Sequence, residues 1–350
     1  MALRESPAAT MTAGMKDTER RIWRNSMILI LPECVIRMVM LIICTCRGQL
    51  KGLLNGGGRM ISWTESVTEW VADGKPVQVG LSRYGSGPEM LLLPALSSIS
   101  TRDELRGLQI RLGEHYSTLS VDWPGFGTLP RPEVAWRPEH YRGFLRYLTE
   151  DVVKPEVTVA CGHAAGYLLA QAATTPDSVG RLCLLSPTWR GPLPTMLRRR
   201  PVFLRRLPGL VDFPGIGALF YRLNVNRQMI RMMSRGHVYE DPRWLTESRL
   251  AEKLCVTIAP GARHSSFRFV TGALDPFTDR GAFLDTLNHI NHPVLVITGR
   301  YTPEKSRQEM DALCAQPGVE SVALPCGKLS FYEEFSGDTA RLIRQFLSSE

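Results

Sequence analysis

The sequence lacks the patterns that mark several protein classes. Eight cysteines stand at 34, 44, 46, 161, 183, 255, 314 and 326, and only Cys44 and Cys46 are close neighbours. There is no Cys-x-x-Cys pair and no Cys/His ladder, so a structural zinc module is excluded and no disulfide framework is indicated. No segment recurs with a period of about 20–50 residues, which argues against solenoids and propellers. Nothing resembles a helix-turn-helix, an RNA-binding signature or a phosphate-cradling loop, and nucleic acid is not expected as a partner. Long apolar runs are missing too. The best candidate, residues 27–46, is interrupted by Pro32, Glu33 and Arg37, and a charge near the centre of a span costs about 2.5–3.5 kcal/mol. Its longest charge-free stretch, Met38 to Cys46, is too short to cross a bilayer. A signal peptide is also a poor match, because the apolar run begins late and no small-residue cleavage site is clear.

What is present is ordinary globular material. The chain has 350 residues, 44% hydrophobic and 22% charged, enough to bury a full core without staples. Several cysteines lie within apolar runs, such as Val159-Ala160-Cys161 and Leu182-Cys183-Leu184. Reduced cysteine behaves there as a small hydrophobe, and a cytoplasmic, reducing setting fits best. The net charge of +8 is unevenly spread: residues 188–290 carry sixteen Lys/Arg against eight Asp/Glu. One basic segment in an otherwise slightly acidic body is unlike a uniformly basic nucleic-acid binder. Residues 1–60 are expected to be an extension outside the fold, with a membrane-associating or docked helix as alternatives.

From there the chain alternates between strand and helix patterns. Residues 77–84 alternate with period two, and 89–94 form a short continuous apolar run, as a strand buried on both faces does. A helix start at Ser100-Thr101-Arg102-Asp103-Glu104 leads into Leu105, Leu108, Ile110 and Leu112. Further strands are expected at 116–122, 157–161, 181–186, 293–299 and 320–325, and helices at about 138–153, from 167, and at 336–348. This predicts a mostly parallel central sheet with helices on both faces. Residues 61–187 and 291–350 form its two parts. Residues 188–290 break the alternation and are expected to form a helical lid over the carboxyl ends of the strands, where open α/β sheets bind ligands.

Four ordered features carry a resemblance to the α/β-hydrolase superfamily over about 75–350. They are Pro94-Ala95-Leu96-Ser97, the Asp122-Trp-Pro-Gly-Phe-Gly127 loop, the Gly162-His163-Ala164-Ala165-Gly166 turn, and Gly299-Arg-Tyr-Thr302 ahead of Gly327-Lys-Leu-Ser-Phe-Tyr-Glu333. The resemblance implies a sharp strand-to-helix turn written G-x-S-x-G, which exposes a nucleophile, and an acid and a base on two later loops. Aligned on Gly162 and Gly166, the nucleophile position is Ala164, the acid position Thr302 and the base position Lys328. All three are altered, so the serine-hydrolase relay is not expected, and residues acting as one unit lose function together.

Other groups remain that are able to do chemistry. The backbone N–H groups of Ala165 and of Leu96 or Ser97 are candidates for an oxyanion-type anion site. His163 and Lys328 are the candidate catalytic groups: the first moves protons near neutral pH, and the second becomes a base or nucleophile if burial lowers its pKa. The bland readings are a packed His163 and a Lys328 paired with Glu304, Glu333 or Glu334. The basic run Arg198, Arg199, Arg200, Arg205 and Arg206 reads as a solvated lid face or as a contact with an anionic membrane. No metal and no cofactor is expected. The favoured function is a non-catalytic scaffold taking an apolar small molecule or a protein partner through its lidded pocket. The alternative is an enzyme of unconventional mechanism, a lyase, isomerase or residual hydrolase.

Overall fold

The computed structural model describes residues 63–199, 201, 207–213 and 215–349. The expectations for residues 1–60, the membrane-span candidate included, lie outside the described residues, as do those for Arg200, Arg205 and Arg206. Eight strands form one sheet: β1 (Trp63–Ala72), β2 (Lys75–Gly85), β3 (Glu89–Leu93), β4 (Ser117–Val121), β5 (Val157–Cys161), β6 (Arg181–Leu185), β7 (Val294–Gly299) and β8 (Val319–Leu324). Their spatial order is β1-β2-β4-β3-β5-β6-β7-β8. The β1/β2 and β2/β4 pairs are antiparallel and every other pair is parallel.

The parallel strands are joined by helices, as crossovers between parallel neighbours require. A 3-10 turn, Arg102–Leu105, is capped by the Thr101 side chain and runs into α1 (Arg106–Leu112). Next come α2 (Pro138–Tyr147), which opens on proline and closes in a π turn over 148–152, and α3 (Ala164–Ala172). Between β6 and β7 are inserted α4 (Pro192–Leu197), α5 (Leu207–Asp212), α6 (Ile216–Asn224), α7 (Arg227–Met233), α8 (Glu247–Ile258), α9 (Ala262–Thr271) and α10 (Arg280–Asp285). The chain ends with α11 (Glu304–Cys314), α12 (Phe331–Glu334) and α13 (Ser336–Leu347). This is the mostly parallel, two-sided architecture with a helical insert that the strand pattern predicts.

Alternation along each buried strand divides the core between the two faces of the sheet. Leu91, Leu93, Ala160, Leu182, Leu184 and Val296 pack with Phe144, Leu145, Leu168 and Leu169 of α2 and α3. Their neighbours Met90, Leu92, Val159, Cys183, Leu295 and Ile297 pack with Leu108, Ile343 and Phe346 of α1 and α13. Cys161 and Cys183 are fully buried free thiols. Burial raises the Cys161 thiol well above its ordinary range and pushes Cys183 up to about 12, so both act as small hydrophobes.

The first hairpin is an addition to the expected strands. β1 alternates, but Val67 and Val71 on one face are exposed, so its hydrophobic signal is weak. Its turn is Asp73-Gly74, both left-handed at φ 48 and 74, the backbone that a two-residue hairpin turn demands.

Candidate functional site

Loops at the carboxyl ends of β3 to β8 converge, and backbone hydrogen bonds set their order. Gly162 N–H donates to Leu185 O (2.8 Å) and Gly162 O accepts from Thr188 N–H (3.0 Å). Ser186 N–H donates to Ile297 O (2.9 Å). Arg300 and Tyr301 N–H donate to Cys326 O (3.2 Å) and Gly327 O (2.9 Å). The last two bonds join the Thr302 loop to the Lys328 loop. A Cβ on Gly299 would stand 2.5 Å from Gly327 O, so glycine is what allows that approach.

The strand-to-helix turn falls two residues earlier than the spacing of the two glycines predicts. β5 ends at Cys161, Gly162 takes φ 53, and Ala164 already begins α3 with its side chain fully buried in the core. A Cβ at Gly162 would lie 3.3 Å from Ala95 Cβ, so position 162 faces the loop after β3. The physical reason for the shift is the left-handed backbone: alanine avoids it and glycine does not. Gly166 serves packing instead, since a Cβ there would meet Pro276 at 2.9 Å.

Ala165 is also removed from the expected anion site. Its N–H donates to Gly162 O at 3.2 Å, so it is spent inside the turn. Leu96 is buried and Ser97 half-buried on the loop after β3. That loop is tied to the loop after β4 by Trp123 Nε1–H, which donates to Pro94 O at 2.8 Å. Asp122 is structural: it accepts from Arg102 N–H (2.8 Å) and pairs with the Arg102 guanidinium.

His163 is a packed residue, 2% exposed. Its ring meets Phe269 edge-on at 5.5 Å and Tyr167 at 6.0 Å. Nε2–H donates to Leu274 O (3.2 Å), which also accepts from Tyr167 Oη (2.5 Å). Asp275, buried and accepting from Gly191 N–H (2.7 Å), lies 3.6 Å from His163 Nε2.

Thr302 Oγ1 donates back to Gly299 O (2.7 Å) within its own loop. Among the described residues Lys328 pairs with none of Glu304, Glu333 and Glu334. Its ammonium donates to Arg235 O (2.6 Å), in the segment that follows α7. That segment, 235–241, is strapped across the Lys328 loop. Leu329 and Ser330 N–H donate to His237 O (3.3 Å) and Val238 O (3.1 Å), while Glu334 accepts from Glu240 N–H (2.9 Å) and Asp241 N–H (3.1 Å).

Beside the strap lies a buried ionic cluster that the sequence reading missed. Lys253 of α8, 7% exposed, pairs with Glu104 of the 3-10 turn and stands 3.7 Å from Glu333 of α12. Tyr239 Oη donates to Glu333 at 2.7 Å. Burial pushes the Glu104 carboxyl up to about 7, with the Lys253 ammonium opposing and the Glu333 carboxylate reinforcing the rise. Lys253 is held well above its ordinary value: burial alone would lower it, and the Glu104 and Glu333 carboxylates overcome that. Glu104 and Glu333 are 229 positions apart in the chain and Lys253 lies in the insert, so no local spacing signals the cluster. Among the described residues, no group of three His, Cys, Asp or Glu side chains is placed to hold a metal ion, and no helix is long and apolar enough to cross a membrane.

Comparison with solved structures finds the same fold at low identity. The haloalkane dehalogenase DatA from Agrobacterium tumefaciens C58 is 17% identical, covers 81% of this chain and 96% of its own, and superposes with a TM-score of 0.59. Cfl2 from Burkholderia cenocepacia is also 17% identical, with coverages of 81% and 95% and a TM-score of 0.62. An esterase from Thermogutta terrifontis, again 17% identical, gives 82%, 98% and 0.59. No curated protein matches the sequence. The model of the family described as "Alpha/beta hydrolase family" matches residues 90–341. The chain therefore belongs to the alpha/beta hydrolase family.

Proposed function

We propose that this chain keeps the hydrolase scaffold as a binding protein, taking an apolar small molecule or a protein partner through its lidded pocket. The observation that carries this reading is Gly162. It holds the left-handed strand-to-helix turn, the position at which the family presents its nucleophile, and it has no side chain. Register does not rescue the chemistry, because Ala164, the alternative position, carries only a methyl group. Thr302 and Lys328 stand at the acid and base positions, and their polar atoms are engaged by Gly299 and Arg235.

The alternative, an enzyme working through His163 or Lys328, finds less support. His163 is enclosed by Phe269, Tyr167 and Leu274. Lys328 is bound by the strap, its ammonium donating to Arg235 O at 2.6 Å.

The test pairs fluorophosphonate labelling with native mass spectrometry of protein purified from its own source. The expected result is no stoichiometric labelling of any serine, together with a non-covalent ligand or partner at near one-to-one ratio. Stoichiometric labelling of one serine would overturn the reading. So would ester turnover that falls by orders of magnitude in Lys328→Ala while the fold is intact.

A further inference from the structure

A concave site at the start of the insert is independent of the reading above. It is a cleft of about 500 Å³ lined from the start of the insert by Arg190, Arg198 and Arg199, from α10 by Arg280, and from α11 by Lys305. That size lies within the roughly 300–1,000 Å³ of small-molecule sites. Two carboxylates share the cleft, Asp279 and Glu309, and both are engaged by the protein. Asp279 caps α10 by accepting from Ala282 N–H at 2.9 Å. Glu309 accepts from Trp189 Nε1–H (3.0 Å) and from Arg280 Nε–H (2.9 Å) and Nη2–H (2.7 Å), and also pairs with Arg190.

The result is a rim of positive charge. Arg190 is fixed twice, by Glu309 and by its position 4.8 Å over the Trp189 ring. Arg198, Arg199 and Lys305 are exposed, and among the described residues that line the cleft the five cations outnumber the two carboxylates by three. Lys305 donates to Met196 O (2.7 Å), which holds its ammonium at the rim. Arg198 adopts φ 54, a left-handed backbone that a non-glycine residue holds at a cost.

We propose that this cleft binds a phosphoryl group, carried either by a soluble phosphate ester or by a lipid headgroup. Guanidinium forks match phosphate oxygens in pairs, and a phosphomonoester carries close to two negative charges at neutral pH. A single carboxylate would leave most of the excess charge unmatched. A cleft walled by one sign of charge also raises the local concentration of the opposite ion. Because Arg190 and Arg280 are already held by Glu309, those two side chains lose little further entropy when the anion enters.

Isothermal titration of the full chain with inorganic pyrophosphate at low ionic strength tests the site. Two triple variants are compared with the wild type: R198Q/R199Q/K305Q in the cleft, and R111Q/R146Q/R341Q, which removes the same charge from exposed positions elsewhere. The expected result is saturable one-site binding, weakened at least about tenfold by the cleft triple and unchanged by the remote one, with equal melting temperatures. The single reversal Lys305→Glu provides the same reading if the cleft triple folds poorly. A parallel arm sediments the chain with phosphatidylcholine vesicles containing phosphatidic acid. Capture that the cleft triple abolishes assigns the phosphoryl group to a headgroup; pyrophosphate binding without capture assigns it to a soluble ester. The proposal is overturned if neither probe binds, or if both triples weaken binding equally.

Discussion

Replacing Lys253 by Met tests whether the insert is held to the body by the buried cluster. The substitution keeps most of the volume and removes the cation that Glu104 and Glu333 share. Breaking a buried pair from one side typically costs about 3–5 kcal/mol, because a charge is left without its partner. The loss must depend on pH. In the wild type Glu104 titrates at about 7 when folded against 4.5 unfolded, chiefly because it is buried. Between those values the folded chain binds a proton that the unfolded chain has released. The stability contributed by Glu104 is therefore complete below about pH 4.5 and declines as pH rises to about 7, by roughly 3 kcal/mol at most. Without Lys253 the Glu104 carboxyl is harder still to ionise, so the decline steepens and runs to higher pH. Urea unfolding of Lys253→Met and wild type at pH 5 and pH 8 should show a deficit of about 3–5 kcal/mol at the higher pH and a clearly smaller one at the lower. A deficit under about 1 kcal/mol at pH 8, or one equal at both pH values, refutes the idea that an ionised, desolvated pair joins the two.

Gly162→Ala should destabilise by about 1–2 kcal/mol, since alanine pays for the left-handed turn; an unchanged urea midpoint would mean that 162 is not the turn residue in solution. His163→Ala should cost about 2–4 kcal/mol through lost packing on Phe269 and Tyr167 and the lost bond to the Leu274 carbonyl, and a loss below about 1 kcal/mol would contradict a structural role. Glu309→Gln should cost about 1.5–3 kcal/mol near neutral pH. Burial opposes ionisation of Glu309, but bonds from Arg280 and Trp189 and the Arg190 charge hold its carboxyl below 4.5. Its contribution is present above that value and is lost as pH falls through the lowered pKa, so the variant and wild type should converge in acid melts. A gap that persists at pH 2–3 would show that packing, not charge, is lost.

The sheet was legible because its information is local. Met90 to Leu93 reads as an uninterrupted apolar run and Val157 to Cys161 as one broken only by Thr158, and the structure buries each of these residues. β1 was harder, because Thr64, Glu65, Thr68 and Glu69 dilute its alternation, although Asp73-Gly74 is a hairpin turn on composition alone. The buried cluster was not legible at all. A lysine in α8 and glutamates in two distant segments look like ordinary surface charges until the fold encloses them.

The elbow shows a different kind of limit, one of register rather than distance. Gly162 and Gly166 are four apart, as the two glycines of G-x-S-x-G are, so spacing alone puts the turn at Ala164. In the structure the left-handed residue is Gly162, and the small residues two places to either side are Ala160 and Ala164, both fully buried. Alanine replaces glycine where only close packing is needed, because a methyl group is tolerated there. It does not replace glycine at positive φ, where Cβ itself is the obstacle. The length of β5 decides between the two registers: pairing with β6 carries the strand through Cys161 opposite Leu185, and the chain must turn at the next residue. A glycine in a small-residue run should therefore be placed by where its strand ends before it is placed by a spacing motif. Here that rule moves the turn from Ala164, which carries a methyl group, to Gly162, which has no side chain and whose Cβ would stand only 3.3 Å from Ala95 Cβ.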